Sequence, residues 1–99
     1  MADVIVLEFS APNAVDIYNK VNHILGFDGT SDWEHWPKGM LSHTAGEAGD
    51  RLVVVEVWAS KADQEEFVRA QLGPVFAQAG APQPSKVEWL NSAGNAHRH

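Results

Sequence analysis

The chain has 99 residues, 44% of them hydrophobic and 20% charged, and its 7 basic and 13 acidic side chains give a net charge of −6. This length suits one domain, and the composition is that of a globular protein. The acidic balance argues against binding to nucleic acid or to an anionic membrane surface, since both require clustered positive charge. The chain contains no cysteine, which removes disulfides, thiol nucleophiles and thiolate metal ligands.

Neither a membrane span nor a secretory signal is predicted. The longest apolar run falls far short of the roughly 20 residues that a span requires. The first residues also lack the basic region ahead of an apolar stretch that marks a signal peptide. We therefore expect a cytoplasmic protein.

The first third of the chain predicts a strand followed by a helix. Residues 4–9 are short and rich in β-branched side chains, as is typical of a strand. Ser10 or Ala11 is the expected cap of a helix whose apolar residues recur at helical spacing over residues 14–25, with Gly26 as the stop signal. Residues 27–38 have no clean period and form an aromatic-rich connection.

The middle of the chain predicts a β-hairpin. Residues 40–45 are expected to form one strand and residues 51–58, the strongest strand pattern in the chain, another. Residues 46–50 are rich in glycine and acidic side chains and are expected to form the loop between them.

The last third predicts an interrupted helix and a final strand. Ser60 with Asp63 three positions later is close to a capping box. An apolar stripe continues to residue 79, but Pro74 after Gly73 predicts a kink or break, with a short second segment that ends at Gly80. Residues 86–90 are expected to form the last strand, and residues 93–99 a disordered tail.

The order of these elements predicts a ferredoxin-like α+β fold, βαββαβ, in a single domain over residues 1–92. Four antiparallel strands would form one sheet with both helices on one face. The strand at residues 51–58 is apolar on both faces: one carries Val53, Val55 and Val57, and the other Val54, Glu56 and Trp58. Because two helices cover only one face, we expect a second copy to cover the other, giving a homodimer. The alternative is a cover formed within the monomer by edge residues and a long loop.

Two ionisable residues in the predicted hairpin are candidates for acid–base chemistry. His43 alternates with apolar neighbours, and is either a general acid or base or a half-buried histidine bonded to backbone. Glu56 lies in the most apolar strand, where a carboxylate must be paired or hydrogen-bonded. It is either a general base or a partner of Arg51 or Lys86 across the dimer.

The register of the hairpin decides whether the two residues meet. Counting outward from the predicted loop places His43 roughly opposite residues 53–54, and Glu56 one or two pairs further along. On a shared cavity face the carboxylate would orient the imidazole; otherwise His43 is structural and Glu56 belongs to the dimer. Trp58, on the face of Glu56, either stacks on a flat substrate or packs in the core of the dimer.

The remaining candidates would bind a small aromatic molecule between the first helix and the sheet. Tyr18 and Asn22 are four residues apart and so share one helix face. Trp33, His35 and Trp36 would close the mouth of the pocket, or else fill a loop tucked over the core. No metal site is expected, because Asp32 and His35 have no third ligand nearby.

Three segments resemble a known family: residues 39–46 (GMLSHTAG), residues 55–60 (VEVWAS), and Phe67 with residues 72–74 (LGP). They are similar to the dimeric α+β barrel superfamily, in particular to small antibiotic biosynthesis monooxygenase-like proteins. The resemblance implies a homodimeric enzyme without a cofactor, of monooxygenase or cyclase type, acting on a flat aromatic or polyketide-like molecule.

The resemblance also bears on the site residues. In the monooxygenases Asn, Trp and a Tyr or His surround an oxidisable phenol. Trp58 falls at the position of that tryptophan, whereas an aliphatic residue or Glu56 replaces the strand asparagine. The superfamily implies two other functions: a non-catalytic small-molecule-binding or stress-response dimer, and a haem-handling protein with His43 as the candidate ligand.

Overall fold

One antiparallel sheet, with helices on one side of it, accounts for the residues that the structure describes. The structure is a computed structural model, and it describes residues 2–26 and 37–91. The elements in chain order are β1 (Asp3–Ser10), α1 (Ala14–Leu25), β2 (Met40–Ala48), β3 (Arg51–Trp58), α2 (Lys61–Phe67), a π-helical turn (Val68–Leu72), α3 (Gly73–Ala79) and β4 (Lys86–Asn91). The strand order is β2-β3-β1-β4, which confirms the predicted ferredoxin-like α+β fold.

The core lies between the helices and one face of the sheet. Directly opposed residues of antiparallel strands share a face, and Ile5 lies opposite Glu56 and Phe9 opposite Leu52. Ile5, Phe9 and Leu52 are buried on this face together with Trp58. Phe76 of α3 packs on Phe9, with ring centroids 6.0 Å apart, so α3 closes one end of the core.

The opposite face of the sheet is also apolar, as predicted. It carries Val4, Val6, Val53, Val55, Val57 and Leu90. We call this set the bare face, because the described helices all lie on the other side. Val55 at its centre is 36% exposed and Leu90 is 46% exposed. Half-exposed aliphatic side chains in this number leave a broad apolar surface on the sheet.

The β2–β3 hairpin differs from the prediction in its loop. β2 continues to Ala48, so the turn contains only Gly49 and Asp50 instead of residues 46–50. Gly49 adopts a φ of +65°, a value that a two-residue turn demands and glycine adopts at little cost. The composition of residues 46–48 suggested a loop, but pairing with the strongly β-forming start of β3 holds them in the ladder. The shorter turn places His43 directly opposite Glu56, and not opposite residues 53–54.

The start of α1 also differs from the prediction. β1 extends through Ser10, which pairs with Arg51, so the helix begins later, at Ala14 after Asn13. Its end is as predicted, because Gly26 adopts a left-handed conformation with a φ of 85°.

The helical region after β3 confirms the predicted cap, whereas a π-helical turn takes the place of the predicted kink or break at Pro74. The backbone N–H of Asp63 donates to Ser60 Oγ at 3.2 Å. Further along, the N–H of Gly73 donates to the carbonyl of Val68, five residues back, which widens the helix into the π-helical turn. Pro74 has no N–H and its ring collides with a regular helical turn, so the wider turn lets the chain continue. Gly73 fits there because an added Cβ would lie 2.9 Å from the Val68 carbonyl oxygen.

Some expectations fall outside this description. Trp33, His35 and Trp36, and the predicted tail at residues 93–99, lie outside the described residues. Among the helices that are described, none combines the length and the apolar character needed to cross a membrane.

Candidate functional site

A cavity of about 310 Å³ lies between the helix-covered face of the sheet and the helices. Aliphatic and aromatic side chains from β1, α1, β3, α2 and α3 form most of its wall. Four polar side chains interrupt this wall: Tyr18, Asn22, His43 and Glu56. A mainly apolar cavity with a few convergent polar groups is the usual form of a small-molecule site.

Three hydrogen bonds join four side chains of this region into one chain, those of Trp58, Glu56, His43 and Tyr18. The indole Nε1–H of Trp58 donates to Glu56 Oε1 at 3.0 Å. The other carboxylate oxygen, Oε2, lies 2.9 Å from His43 Nδ1. On the far side of the imidazole, His43 Nε2 lies 2.6 Å from the hydroxyl oxygen of Tyr18. The chain therefore runs from the buried indole, through the carboxylate and the imidazole, to a phenol at the cavity.

The donor and acceptor types of these groups decide where the protons lie. An ionised Glu56 only accepts hydrogen bonds, so with that carboxylate the proton between Glu56 and His43 is on Nδ1. The neutral imidazole then has a free electron pair on Nε2, which accepts the hydroxyl proton of Tyr18. If His43 takes that proton, its Nε2–H donates back to the Tyr18 oxygen, and the positive ring remains bonded to the carboxylate of Glu56. A proton can thus pass between Tyr18 and His43 with little movement of heavy atoms.

Burial makes these contacts necessary for Glu56. The residue is 6% exposed, and an unpaired carboxylate at that depth would be very costly. Both of its oxygens are bonded, and no buried side-chain polar atom within residues 2–26 and 37–91 lacks a partner. Arg51, one of the cations considered as its partner, pairs instead with Glu8 at 3.0 Å. Glu56 faces the helices and not the bare face, so the alternative of an ion pair across the dimer does not apply.

Trp58 has a different position from the one expected of a substrate-stacking residue. Its side chain is completely buried, its ring packs on Phe67 with centroids 5.8 Å apart, and it lies outside the cavity wall. The expected stacking on a substrate therefore does not fit this structure. What Trp58 contacts is Glu56, so its indole holds the carboxylate that in turn orients His43.

The other predicted site residues divide into two groups. Tyr18, Asn22, His43 and Glu56 come together in the cavity wall, whereas Trp33, His35 and Trp36 lie outside the described residues. Sequence reasoning missed the bond between Tyr18 and His43. The helical period placed Tyr18 on the inward face of α1, but it carried no information on which strand residue lies beneath that position.

The site does not suit axial ligation of haem, for which His43 was the candidate. Both ring nitrogens are already bonded, one to Glu56 and one to Tyr18, so an iron atom would have to displace one of them. In the described part of the chain, no group of three metal-binding side chains comes together.

Comparisons with solved structures agree on the architecture. A protein of Chloroflexus aurantiacus J-10-fl, provisionally assigned as an antibiotic biosynthesis monooxygenase, superposes with a TM-score of 0.70 at 12% identity, over 98% of both chains. Rv0793 of Mycobacterium tuberculosis also gives 0.70, at 18% identity, over 98% of this chain and 100% of that one. SnoaB, a cofactor-independent oxygenase of Streptomyces nogalater, solved as a mutant, gives 0.65 at 12% identity over 95% of both chains.

The fold is that of the antibiotic biosynthesis monooxygenase-like proteins. No family model matches the sequence, and no curated protein matches it. At identities of 12–18%, the similarity of this chain to the solved structures shows the fold alone. Its chemistry must be argued from its own side chains.

Replacement of Glu56 by glutamine tests whether the carboxylate holds the site together. Gln has nearly the same shape, so packing is kept, but its NH₂ group would face the Nδ1–H of His43. We expect the free energy of unfolding to fall by about 1–3 kcal/mol, as for a buried polar group that loses its partner. Urea unfolding at one fixed protein concentration measures this. Glu65→Gln, at an exposed position on α2, is the matched control. Equal stability of the two variants would contradict the assigned role of Glu56.

Proposed function

We propose that this protein is a small homodimeric enzyme without a cofactor, of oxygenase or cyclase type, acting on a flat aromatic or polyketide-like molecule. The observation that carries the proposal is the hydrogen-bonded chain from Trp58 to Tyr18, which ends at an apolar cavity. Oxygenases and cyclases of this kind share a first step, the removal of a proton from a phenol or from a carbon next to a carbonyl.

Tyr18 and His43 are placed to take that proton. In the proposed step His43 Nε2 accepts the hydroxyl proton of Tyr18, and the Tyr18 oxygen takes the proton of the substrate. The imidazolium that forms stays bonded to the carboxylate of Glu56, which balances its charge. Positioned acid–base groups of this type typically contribute about 10²–10⁴-fold to a rate.

The electrons for an oxygenase reaction would come from the substrate. In a substrate with a methylene next to an aromatic ketone, the carbanion left by deprotonation reacts with dioxygen. One oxygen atom becomes a new carbonyl on that carbon and the other leaves as water, so the substrate is oxidised and dioxygen reduced. In a cyclase reaction the same carbanion would attack a carbonyl of its own chain, form a carbon–carbon bond and lose water.

The cofactor-independent oxygenase SnoaB, which has this fold, supports the oxygenase version of the proposal. The apolar wall supports it too, because a flat hydrocarbon framework would replace water there with little loss of hydrogen bonding. The alternative function, a ligand-binding dimer without catalysis, uses the same cavity. A measurement of whether the bound molecule is converted to product distinguishes the two functions.

Replacement of Tyr18 by phenylalanine tests the proposed acid–base role. We expect wild-type protein to accelerate oxidation of a tricyclic phenolic ketone, 1,8-dihydroxyanthrone, followed by oxygen uptake and by the absorbance of the quinone product. Tyr18→Phe removes only the hydroxyl and should lower kcat by about 10²-fold or more, because proton transfer loses its first member. Glu65→Gln should leave kcat unchanged.

Two outcomes would contradict this role. Unchanged kcat in Tyr18→Phe would remove Tyr18 from the reaction. Binding of the ketone by wild-type protein with no acceleration of its oxidation would favour the ligand-binding alternative.

The homodimer is proposed from the bare face. An exposed aliphatic surface at the centre of a sheet, with the helices on the other side, is best covered by an identical sheet, since a two-fold axis brings the same apolar patch of each copy together. The hydrogen-bonded side chains from Trp58 to Tyr18 lie on the opposite side of the sheet from the bare face. The proposed dimer interface and the proposed site therefore occupy different sides of the sheet.

Two valine-to-lysine substitutions test the dimer. Val55 lies at the centre of the bare face, whereas Val87 is 51% exposed on the helix side of the edge strand β4, opposite Leu7. We expect wild-type protein and Val87→Lys to sediment at about twice the mass of one chain. Val55→Lys should sediment as a monomer, because two lysines would be buried near each other. A dimeric Val55→Lys, or a monomeric wild type at micromolar concentration, would contradict the proposed interface.

A further inference from the structure

The side chain of Asn22 is a hydrogen-bonding group of the cavity that has no partner among residues 2–26 and 37–91. It lies one helical turn after Tyr18, on the same face of α1, and is half-buried in the cavity wall. In the described part of the chain, the Asn22 carboxamide makes no hydrogen bond to another group, unlike Tyr18, His43 and Glu56. A carboxamide that faces an apolar cavity offers both a donor and an acceptor to whatever enters it.

The part of the cavity wall formed by residues 2–26 and 37–91 is polar in the middle and apolar at both ends. The strand register orders its wall along the sheet: Phe9 lies opposite Leu52, then Leu7 opposite Val54, then His43 opposite Glu56. Ala14 and Phe76 join the Phe9–Leu52 end, whereas Leu25, Met40, Phe67 and Leu72 form the other end. Tyr18 and Asn22 lie between the two ends on α1. The polar groups thus form one central band.

We propose that Asn22 is a specificity-determining residue that binds an oxygen atom of the substrate beside the oxygen or carbon that Tyr18 deprotonates. This inference rests on the proposed function and narrows its substrate class. The substrate that fits this cavity carries its oxygen atoms near the middle of its length, and both of its ends are uncharged hydrocarbon. A hydroxyl or charged group at either end would be buried against aliphatic and aromatic side chains with no partner, which is costly.

The same placement gives Asn22 a part in the proton transfer. When a substrate loses a proton next to a carbonyl, negative charge collects on the carbonyl oxygen. The amide N–H of Asn22 can donate to that oxygen without any loss of an existing protein hydrogen bond. Asn22 would then bind the oxygen of the bound molecule and also favour its deprotonated form.

Binding of three tricyclic probes tests the inference separately from catalysis. Anthraquinone has its two oxygens on the central ring, 2,6-dihydroxyanthraquinone adds a hydroxyl at each end, and anthracene has no oxygen. Anthraquinone has no proton to lose at the central ring, so its affinity is independent of turnover. Quenching of tryptophan fluorescence gives the Kd of each probe. The measurement is made at about pH 6, where both hydroxyl groups of 2,6-dihydroxyanthraquinone are largely neutral.

We expect wild-type protein to bind anthraquinone about 10²-fold more tightly than 2,6-dihydroxyanthraquinone, because two hydroxyls would be buried without a partner, at about tenfold each. Asn22→Leu should weaken anthraquinone binding by about tenfold and leave anthracene binding unchanged or tighter. Asn22→Ala, which adds no bulk, should likewise weaken the binding of anthraquinone and leave that of anthracene unchanged or tighter. Asp16→Asn, at an exposed position on α1, should bind all three probes like the wild type.

Other results would overturn the inference. If Asn22→Leu and Asn22→Ala bound anthraquinone as tightly as the wild type, Asn22 would have no role in recognition. Tighter binding of 2,6-dihydroxyanthraquinone than of anthraquinone would contradict the apolar ends. If wild-type protein and the Asn22 variants showed the expected affinities but wild-type protein did not oxidise the phenolic ketone, the proposed reaction would fail and the role of Asn22 in recognition would stand.

Discussion

The carboxylate of Glu56 is a charged group inside an apolar layer, and the candidate site depends on how it is satisfied. One oxygen accepts the indole N–H of Trp58 and the other accepts the Nδ1–H of His43. These bonds compensate for the cost of burial and at the same time hold the imidazole in one orientation. These bonds thereby aim His43 Nε2 at the hydroxyl of Tyr18, which α1 holds over the sheet.

The register of β2 against β3 allows the carboxylate of Glu56 to accept the hydrogen bond of His43. His43 lies directly opposite Glu56 because the turn between β2 and β3 contains only Gly49 and Asp50. Side chains alternate along a strand, so a slip of one residue would move His43 to the bare face and leave Glu56 without its second donor. The left-handed conformation of Gly49 therefore matters beyond the turn itself. The same register keeps the side chains of His43 and Glu56 away from the bare face, where the dimer interface is proposed.

Local patterns predicted the fold, whereas the contacts of the site required tertiary information. The cap at Ser60 and the interruption of the helix at Pro74 depend on neighbouring residues only. The cap was predicted as found, and the interruption was predicted as a kink or break instead of a π-helical turn. The register was wrong because composition marked residues 46–48 as loop, although their partners in β3 hold them in the sheet. Alternation placed Trp58 on the face of Glu56 but gave no depth, so it could not decide between stacking on a substrate and the complete burial that the structure shows. The contact between Tyr18 and His43 depends on where α1 lies over the sheet, which no local pattern encodes.

The tautomer of His43 tests the central claim most directly. Nitrogen-15 NMR of the imidazole at about pH 8, where an ordinary histidine is neutral, distinguishes the ring nitrogen that carries hydrogen from the one that does not. Loss of the signals in His43→Gln assigns them among the five histidines of the chain. A carboxylate at Nδ1 and a phenol hydroxyl at Nε2 predict a proton on Nδ1 and an unprotonated, hydrogen-bond-accepting Nε2. A proton on Nε2, or rapid exchange between both forms, would contradict the hydrogen-bonded chain.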